Sequence, residues 1–329
     1  MEGVTDAPVR ALLSERGGFT HCVSEFLRVS QNVPPPRIYR EHVPELNFGC
    51  VTPGGTPVGV QLLGGDPERL ARSAALAIEL GATAIDLNFG CPAPTVNRHD
   101  GGATLLKYPE RIRGIVAAVR AAVPAPYPVS AKLRLGWEDI SDIHRNAEMA
   151  AEGGASWLTI HARTRMQGYA PPVYWKPIGE IRARLNLPVV ANGDIWTFED
   201  FLRCREMTEC AHYMIGRSAL ADPALPLRIA RELGLSAPVG NEDFHECPAR
   251  PSAAWLGLFF RYQEICRENG RDNKPGFLLA RIKQWLNLAR RGRALPWWDD
   301  IKRCRTAEEL FATLESLAIP GKTHAIPRA

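Results

Sequence analysis

The sequence predicts an α/β protein: a (β/α)8 TIM barrel whose first strand is missing or truncated, followed by an all-helical domain. Three observations carry this. Short apolar runs alternate with helical segments at about the spacing of a βαβ repeat. Polar residues recur at the ends of those runs, and after about residue 242 the runs stop while helical spacing continues.

Taken in order, Met1 to Asp6 reads as a loop leading into a helix, with Thr5 or Asp6 as its cap before Pro8 and the run Val9 to Leu13. Apolar runs follow at His21 to Phe26, Val58 to Leu63, Thr83 to Asn88, Val129 to Leu135, Trp157 to His161, Val189 to Asn192 and His212 to Ile215. Between them, Pro67 to Leu80, Pro109 to Val123, Ile140 to Glu152, Trp175 to Leu185 and Thr197 to Glu206 have helical spacing. This alternation implies a parallel sheet, either doubly wound or closed as a barrel. Gln61, Asn88, Lys132, Arg134, His161, Asn192 and the pair Gly216-Arg217 each fall at or just past a different strand end. A barrel gathers those ends on one rim, whereas an open sheet would separate several of them, so the barrel is favoured. Its missing strand would be the first, upstream of Met1.

The expected domains are residues 1–243, the barrel, and 244–329, which is helical at Ala253 to Arg267, Phe277 to Ala289 and Thr306 to Leu317. Charge divides along the same line. Residues 1–243 carry 25 Lys and Arg against 27 Asp and Glu, and residues 244–329 carry 15 against 9, so the net positive charge lies in the helical part. Arg281, Lys283 and Arg290 lie near Trp285, Trp297 and Trp298, a mixture that suits RNA, although Trp at helical spacing is more often core.

Composition narrows the classes further. With 329 residues and 45% hydrophobic content the chain can bury a large core, which excludes disorder. Its eight cysteines lack CxxC spacing, no apolar window is long enough to span a membrane, and no signal-peptide pattern opens it. A reducing cytoplasmic location with neither structural zinc nor membrane span is expected.

The densest chemistry lies in Ala84-Ile85-Asp86-Leu87-Asn88-Phe89-Gly90-Cys91-Pro92, with Asn97 and Gly101-Gly102 behind it. A buried strand here delivers an amide and a thiol into a loop, and Pro92 and Pro94 keep Cys91 out of a helix. A lone cysteine is more often a small buried hydrophobe; the loop context favours chemistry. Ala191-Asn192-Gly193-Asp194 and Ile215-Gly216-Arg217 follow the seventh and eighth barrel strands, where glycine-rich turns bind phosphate. Lys132, if inward, needs an anion, and His161 ends the next strand. Together they suit a flavin, whose reduced ring is anionic near N1 and O2. HExxH, P-loop, GxGxxG and GxSxG motifs are all lacking.

These residues resemble the tRNA-dihydrouridine synthases. The match runs from Met1-Glu2-Gly3-Val4-Thr5-Asp6 through Gln61-Leu62-Leu63-Gly64, Asp86 to Pro92, Gly101-Gly102-Ala103, Ala131 to Gly136, His161 to Thr164, Asn192-Gly193-Asp194 and Gly216-Arg217. Ala280 to Leu286 and Glu25 to Val29 look most like the bacterial C-type subgroup, which modifies uridine 16 of the D-loop. The resemblance implies an FMN-dependent barrel joined to a helical tRNA-binding domain, with NADPH (or NADH) as electron donor. Hydride would pass to C6 of an everted uracil and Cys91 would protonate C5, a role that suits a thiol, since an ordinary one is mostly protonated at neutral pH. By the same resemblance Met1, Gln61, Lys132, His161, Asn192, Gly193, Asp194, Gly216 and Arg217 would hold FMN. Asn88, Arg134 and Tyr169 would hold the nucleotide, and Arg28, Arg281 and Lys283 would orient the tRNA. The expected partner is tRNA, with no membrane, no metal and a monomeric chain. Two rival readings are another FMN barrel oxidoreductase acting on a free pyrimidine and a tRNA-binding homologue without catalysis.

Overall fold

The computed structural model describes residues 3–236, 250–270, 276–290 and 295–318. It divides into two compact units: Met1–Arg10 with Phe19–Ile215, and Ala11–Gly18 with Gly216–Ala329. The structural division therefore falls at Gly216, ahead of the sequence boundary at 243/244. The reason is packing: the Arg217–Ala221 helix packs on the Phe277–Ala289 helix of the C-terminal part.

The first unit is an α/β sheet of eight short strands: β1 Cys22–Val23, β2 Leu27–Arg28, β3 Val58–Leu63, β4 Ile85–Asn88, β5 Val129–Arg134, β6 Leu158–His161, β7 Val189–Asn192 and β8 His212–Met214. All neighbours are parallel, in the order β1-β3-β4-β5-β6-β7-β8, with β2 also beside β3. This is the strand array of a TIM-type barrel, with β1 and β8 as its edges among the described residues. The run His21 to Phe26 holds one strand, β1, and β2 begins just past it at Leu27, with Ser24 and Glu25 between the two. Ser24 Oγ accepts from the Gln61 N–H at 3.1 Å, and the Glu25 side chain accepts from Arg10.

Period-two alternation separates the two faces of the sheet. Val60, Leu62, Ile85, Leu87, Val129, Ala131, Leu133, Leu158, Ile160, Val189 and Ala191 are buried and apolar. The intervening positions Gln61, Asp86, Asn88, Ser130, Lys132, Arg134, Thr159, His161 and Asn192 are polar. Register aligns them across strands: Gln61 with Asp86 and Ser130, Asn88 with Lys132 and Thr159, and Arg134 with His161 and Asn192. The apolar set packs under amphipathic helices such as Pro67–Glu79 and Pro109–Ala122, which bury Leu70, Ala74, Ile112, Ile115, Val116 and Val119. The polar set lines the other face.

The helix Ala7–Arg16 begins as its sequence predicts, with the Val9 N–H donating to Asp6 Oδ1 at 3.1 Å. Thr5, the other candidate cap, instead donates to Glu25. Arg10 from this helix is almost fully buried between two carboxylates, donating to Glu25 at 2.7 Å and bidentately to Glu45 at 2.8 and 2.9 Å. Burial alone would raise the Glu25 carboxyl, but the Arg10 guanidinium and the Thr5 hydroxyl hold it below the usual carboxylate range.

The second unit is helical in its described parts, including Leu225–Glu232, Ala253–Glu268, Phe277–Ala289 and Ala307–Ala318. Its core is aromatic. Trp285 lies between Phe259 and Tyr262 at centroid distances of 6.0 and 5.5 Å, and Trp255 stacks on Phe259 at 5.3 Å. Trp285 and Trp297 are buried, so of the three tryptophans that the sequence places among cations only Trp298 is partly exposed, with Arg290 5.4 Å from its ring.

Replacing Arg10 strands two buried carboxylates, so Arg10→Ala is expected to cost about 3–5 kcal/mol in chemical denaturation at pH 7. Because the folded Glu25 pKa is depressed, its contribution is complete above the unfolded value of about 4.3 and declines as pH falls below it. Glu25→Gln should accordingly flatten the acid limb of the stability–pH curve between about pH 4.5 and 3.

Candidate active site

The site is built on the polar face at the carboxyl ends of β3 to β7. Gln61 and Asp86 lie side by side in register, and Gln61 Nε2 donates to Asp86 Oδ2 at 2.7 Å. Ser130 on β5 donates to the other oxygen, Asp86 Oδ1, at 2.6 Å. Asp86 is buried, and burial pushes its carboxyl up against the opposing effects of these two hydrogen bonds and of Lys132.

Asn88 links this buried layer to the loop beyond. Its Nδ2 donates to Gln61 Oε1 at 2.8 Å, while its Oδ1 accepts from the backbone N–H groups of Gly90 at 3.0 Å and Cys91 at 2.9 Å. The loop is fixed from behind as well. Ala103 N–H donates to the Cys91 carbonyl at 3.1 Å, and a Cβ at Gly102, whose φ is +60°, would meet that carbonyl oxygen at 2.9 Å and Cys91 Cβ at 3.1 Å. Only glycine fits there without strain. Cys91 is half-buried, whereas Cys50, Cys204, Cys210, Cys266 and Cys304 are buried. Arg28, at the end of β2, donates to the Thr95 carbonyl just past this loop at 2.8 Å.

Lys132 on β5 reaches Asn192 on β7 across the intervening strand, Nζ to Oδ1 at 3.1 Å, and Asn192 Nδ2 donates to the Met214 carbonyl at 2.7 Å. Both side chains therefore point to the face that carries Gln61 and Asn88. Burial, aided by the neighbouring Arg134, lowers the Lys132 ammonium to about 8 against the attraction of Asp86 and Cys91. His161 is buried at the same register position as Arg134 and Asn192 on the flanking strands. Gly193, at φ +115°, passes so close that an added Cβ would meet Ala162 N at 3.1 Å and His161 Nε2 at 3.4 Å, and its carbonyl accepts from Trp175 Nε1 at 2.9 Å. Asp194 is held by the fully buried Arg163, whose Nη1 donates to Oδ1 at 2.9 Å and whose Nη2 donates to Oδ2.

Arg134 is committed to backbone. It donates to the carbonyls of Gly90 at 2.7 Å, Thr164 at 3.0 Å and Gly168 at 2.9 Å, with the exposed Tyr169 ring 5.4 Å away. Nearby in sequence, Trp137 has the Lys107 ammonium 4.4 Å and the Arg165 guanidinium 4.7 Å from its ring.

In the first unit, then, the structure brings together Gln61, Asn88, Cys91, Arg134, Lys132, His161, Asn192 and Gly193, and sets Arg28 and Tyr169 near the same loops. Gly216 and Arg217 belong to the second unit, at the start of the Arg217–Ala221 helix. Arg281 and Lys283 lie there too: Arg281 donates to Gln284 Oε1 at 2.9 Å, and Lys283 donates to the Lys302 carbonyl at 2.9 Å. Met1 lies outside the described residues. Sequence reading assigned no role to Asp86, Ser130, Arg163, Trp175 or Trp137. The available signal was parity: Asp86 stands two residues before Asn88 on one strand, and Ser130 two before Lys132.

Among the described residues no group of three His, Cys, Asp or Glu side chains is placed to hold a metal ion, and no helix is long and apolar enough to cross a membrane.

The lowered Lys132 pKa has a measurable consequence. The unfolded chain binds this proton more tightly than the folded one, so stability from this group rises with pH between about 8 and 10.4. Part of the side chain still meets solvent, so the effect is on the order of 1–2 kcal/mol. The stability advantage of Lys132→Met over the parent should shrink by that amount between pH 7 and pH 10, read from denaturant midpoints.

Comparisons with known proteins agree with this geometry. The family model described as "Dihydrouridine synthase (Dus)" matches residues 1–242. A protein of Cupriavidus necator called "tRNA-dihydrouridine(16) synthase" is 45% identical over 98% of this chain and 96% of its own. Proteins of the same name from Neisseria meningitidis serogroup B and Shewanella oneidensis are 42% and 43% identical, covering 94% and 96% of this chain and 90% and 95% of theirs. A thiol loop anchored to the polar face of a parallel barrel sheet, and this match over most of the chain, make it a member of the dihydrouridine synthase family.

Proposed function

We propose that the protein reduces uridine to 5,6-dihydrouridine in the D-loop of tRNA, at position 16, with FMN as its flavin and NADPH (or NADH) as electron donor. The observation that carries this reading is the Cys91 loop. A half-buried thiol is held on the rim by Asn88 and Gly102, beside a face that bears Gln61, Lys132 and Asn192.

The donor set fits a flavin. An ammonium, two amides and a histidine on β3, β5, β6 and β7 would suit the polar pyrimidine edge of an isoalloxazine ring, and Lys132 would supply the positive charge that the reduced ring requires. Gly193 leaves the backbone bare where a side chain would not fit. Gln61, Lys132, His161, Asn192, Gly193 and Asp194 would hold the cofactor, Asp194 with its carboxylate fixed by Arg163. The corresponding roles of Gly216, Arg217 and Met1 rest on the family resemblance alone. When bound, FMN supplies the hydride that uracil accepts at C6.

The chain's own residues supply the rest. Cys91 gives its proton to uracil C5 as general acid. Asn88 offers its remaining amide hydrogen to the base, and Arg134 gives the site a cation whose position three backbone carbonyls fix. Tyr169 and Trp137 present aromatic faces with cations beside them, the chemistry that takes unstacked bases. In the helical unit Arg281 would face RNA. Lys283, which donates to backbone carbonyls, would act by holding its own helices together as much as by meeting phosphate.

The test is dihydrouridine content, position by position, in tRNA from a strain lacking all its own synthases and carrying this chain. Dihydrouridine at 16 is expected, falling by about 100-fold or more with Cys91→Ala. Absence of dihydrouridine despite bound flavin would reject the reaction, and its appearance at another position would reject the site.

A further inference from the structure

We propose that Asp86 is a positioning residue for Cys91, acting through Gln61 and Asn88 by fixing which way their amides face. The inference rests on the reading of Cys91 as the acid and deepens it. Five hydrogen bonds form one line. Ser130 Oγ donates to Asp86 Oδ1 at 2.6 Å, Gln61 Nε2 to Asp86 Oδ2 at 2.7 Å, and Asn88 Nδ2 to Gln61 Oε1 at 2.8 Å. Asn88 Oδ1 then accepts from the N–H groups of Gly90 at 3.0 Å and Cys91 at 2.9 Å.

The two ends of the line differ in kind. Backbone N–H groups can only donate, and the carboxyl oxygen facing Gln61 can only accept. Between them stand two primary amides whose oxygen and NH2 ends are nearly the same size, so shape alone does not orient them. The acceptor at Asp86 draws in the NH2 of Gln61, which turns the Gln61 oxygen to Asn88. That oxygen draws in the NH2 of Asn88, and only then is the Asn88 oxygen left for the Cys91 loop. Without Asp86 either amide can turn over, and a turned Asn88 sets its NH2 against two N–H donors. The line holds in both protonation states of Asp86. A proton on the carboxyl would lie on Oδ1 toward Ser130, whose hydroxyl has the Ile85 carbonyl 3.4 Å away as an alternative acceptor.

A double-mutant cycle separates this role from mere support of the sheet. The variants are Asp86→Leu, Asn88→Ala, both together, and Asp86→Asn, each purified with flavin. Two rates are read: carbamidomethylation of Cys91 by iodoacetamide, followed on its peptide by mass spectrometry, and dihydrouridine formation on a tRNA transcript. Asp86→Leu is expected to speed alkylation and slow product formation by about tenfold each, whereas in the Asn88→Ala background it adds less than about twofold. Asp86→Asn should stay within about twofold of the parent, because its oxygen can serve Gln61 while its NH2 serves Ser130. Additive effects of the two substitutions, or an unchanged Cys91 alkylation rate in Asp86→Leu, would overturn the proposal. If Asp86→Leu yields no soluble protein, Gln61→Met breaks the line one link on and is held to the same criteria. A parent that alkylates as expected but makes no dihydrouridine would reject the reaction assigned above, while the alkylation cycle would still decide the role of Asp86.

Discussion

A polar group taken out of water must find a partner, and that constraint orders the inner face of this sheet. Each strand from β3 to β7 sends apolar residues to the helices and polar ones to the opposite face. Those polar side chains answer one another across strands: Gln61 with Asp86, Asp86 with Ser130, Lys132 with Asn192. Register decides the pairs. A slip of one residue on any strand would bring leucines and valines to the polar face and strand a carboxylate or an ammonium among the helices. The fold and the site therefore depend on the same alternation, and neither could be kept while the other was lost.

Much of this was legible in the sequence. The apolar runs predicted β3 to β8 closely, because strands buried on one face by helices must be apolar at every second position. The residues at strand ends were legible too, since a Lys or His ending an apolar run has few places to go. Pairing was not legible, because it depends on which residues of different strands share a register position. Lys132 looked like a charge awaiting an anion, yet it already holds Asn192; Asp86 looked like part of a motif, yet it is the buried end of a line of hydrogen bonds. The shortness of β1 was likewise hidden, as was the partner of Glu25 just past it, Arg10 fifteen residues earlier.

The helical unit shows the opposite failure. Cations near tryptophans suggested a nucleic-acid surface, but Trp285 packs against Phe259 and Tyr262 and Trp297 is buried, so helical spacing there reports a core. Exposed or half-exposed aromatic groups with neighbouring cations occur in both units: Trp298 beside Arg290 in the helical one, and Tyr169 and Trp137 in the barrel unit, where the sequence shows no charge excess. Net charge by segment reports the long-range field that an RNA would meet. It does not say where a base would stack.

The proposed role of Cys91 as general acid needs more than a thiol. Proton transfer to carbon requires the donor to stand over one atom, and a loop that wanders by an ångström forfeits much of the advantage. Two of the loop's N–H groups end on Asn88, its Cys91 carbonyl on Ala103, and Gly102 closes against its back with no side chain between. Proline on the far side removes the helical alternative. The loop is thus fixed through its backbone. In the proposed reaction, anchoring by the backbone would let the thiol give up and regain its proton at each turnover without loosening the loop that aims it.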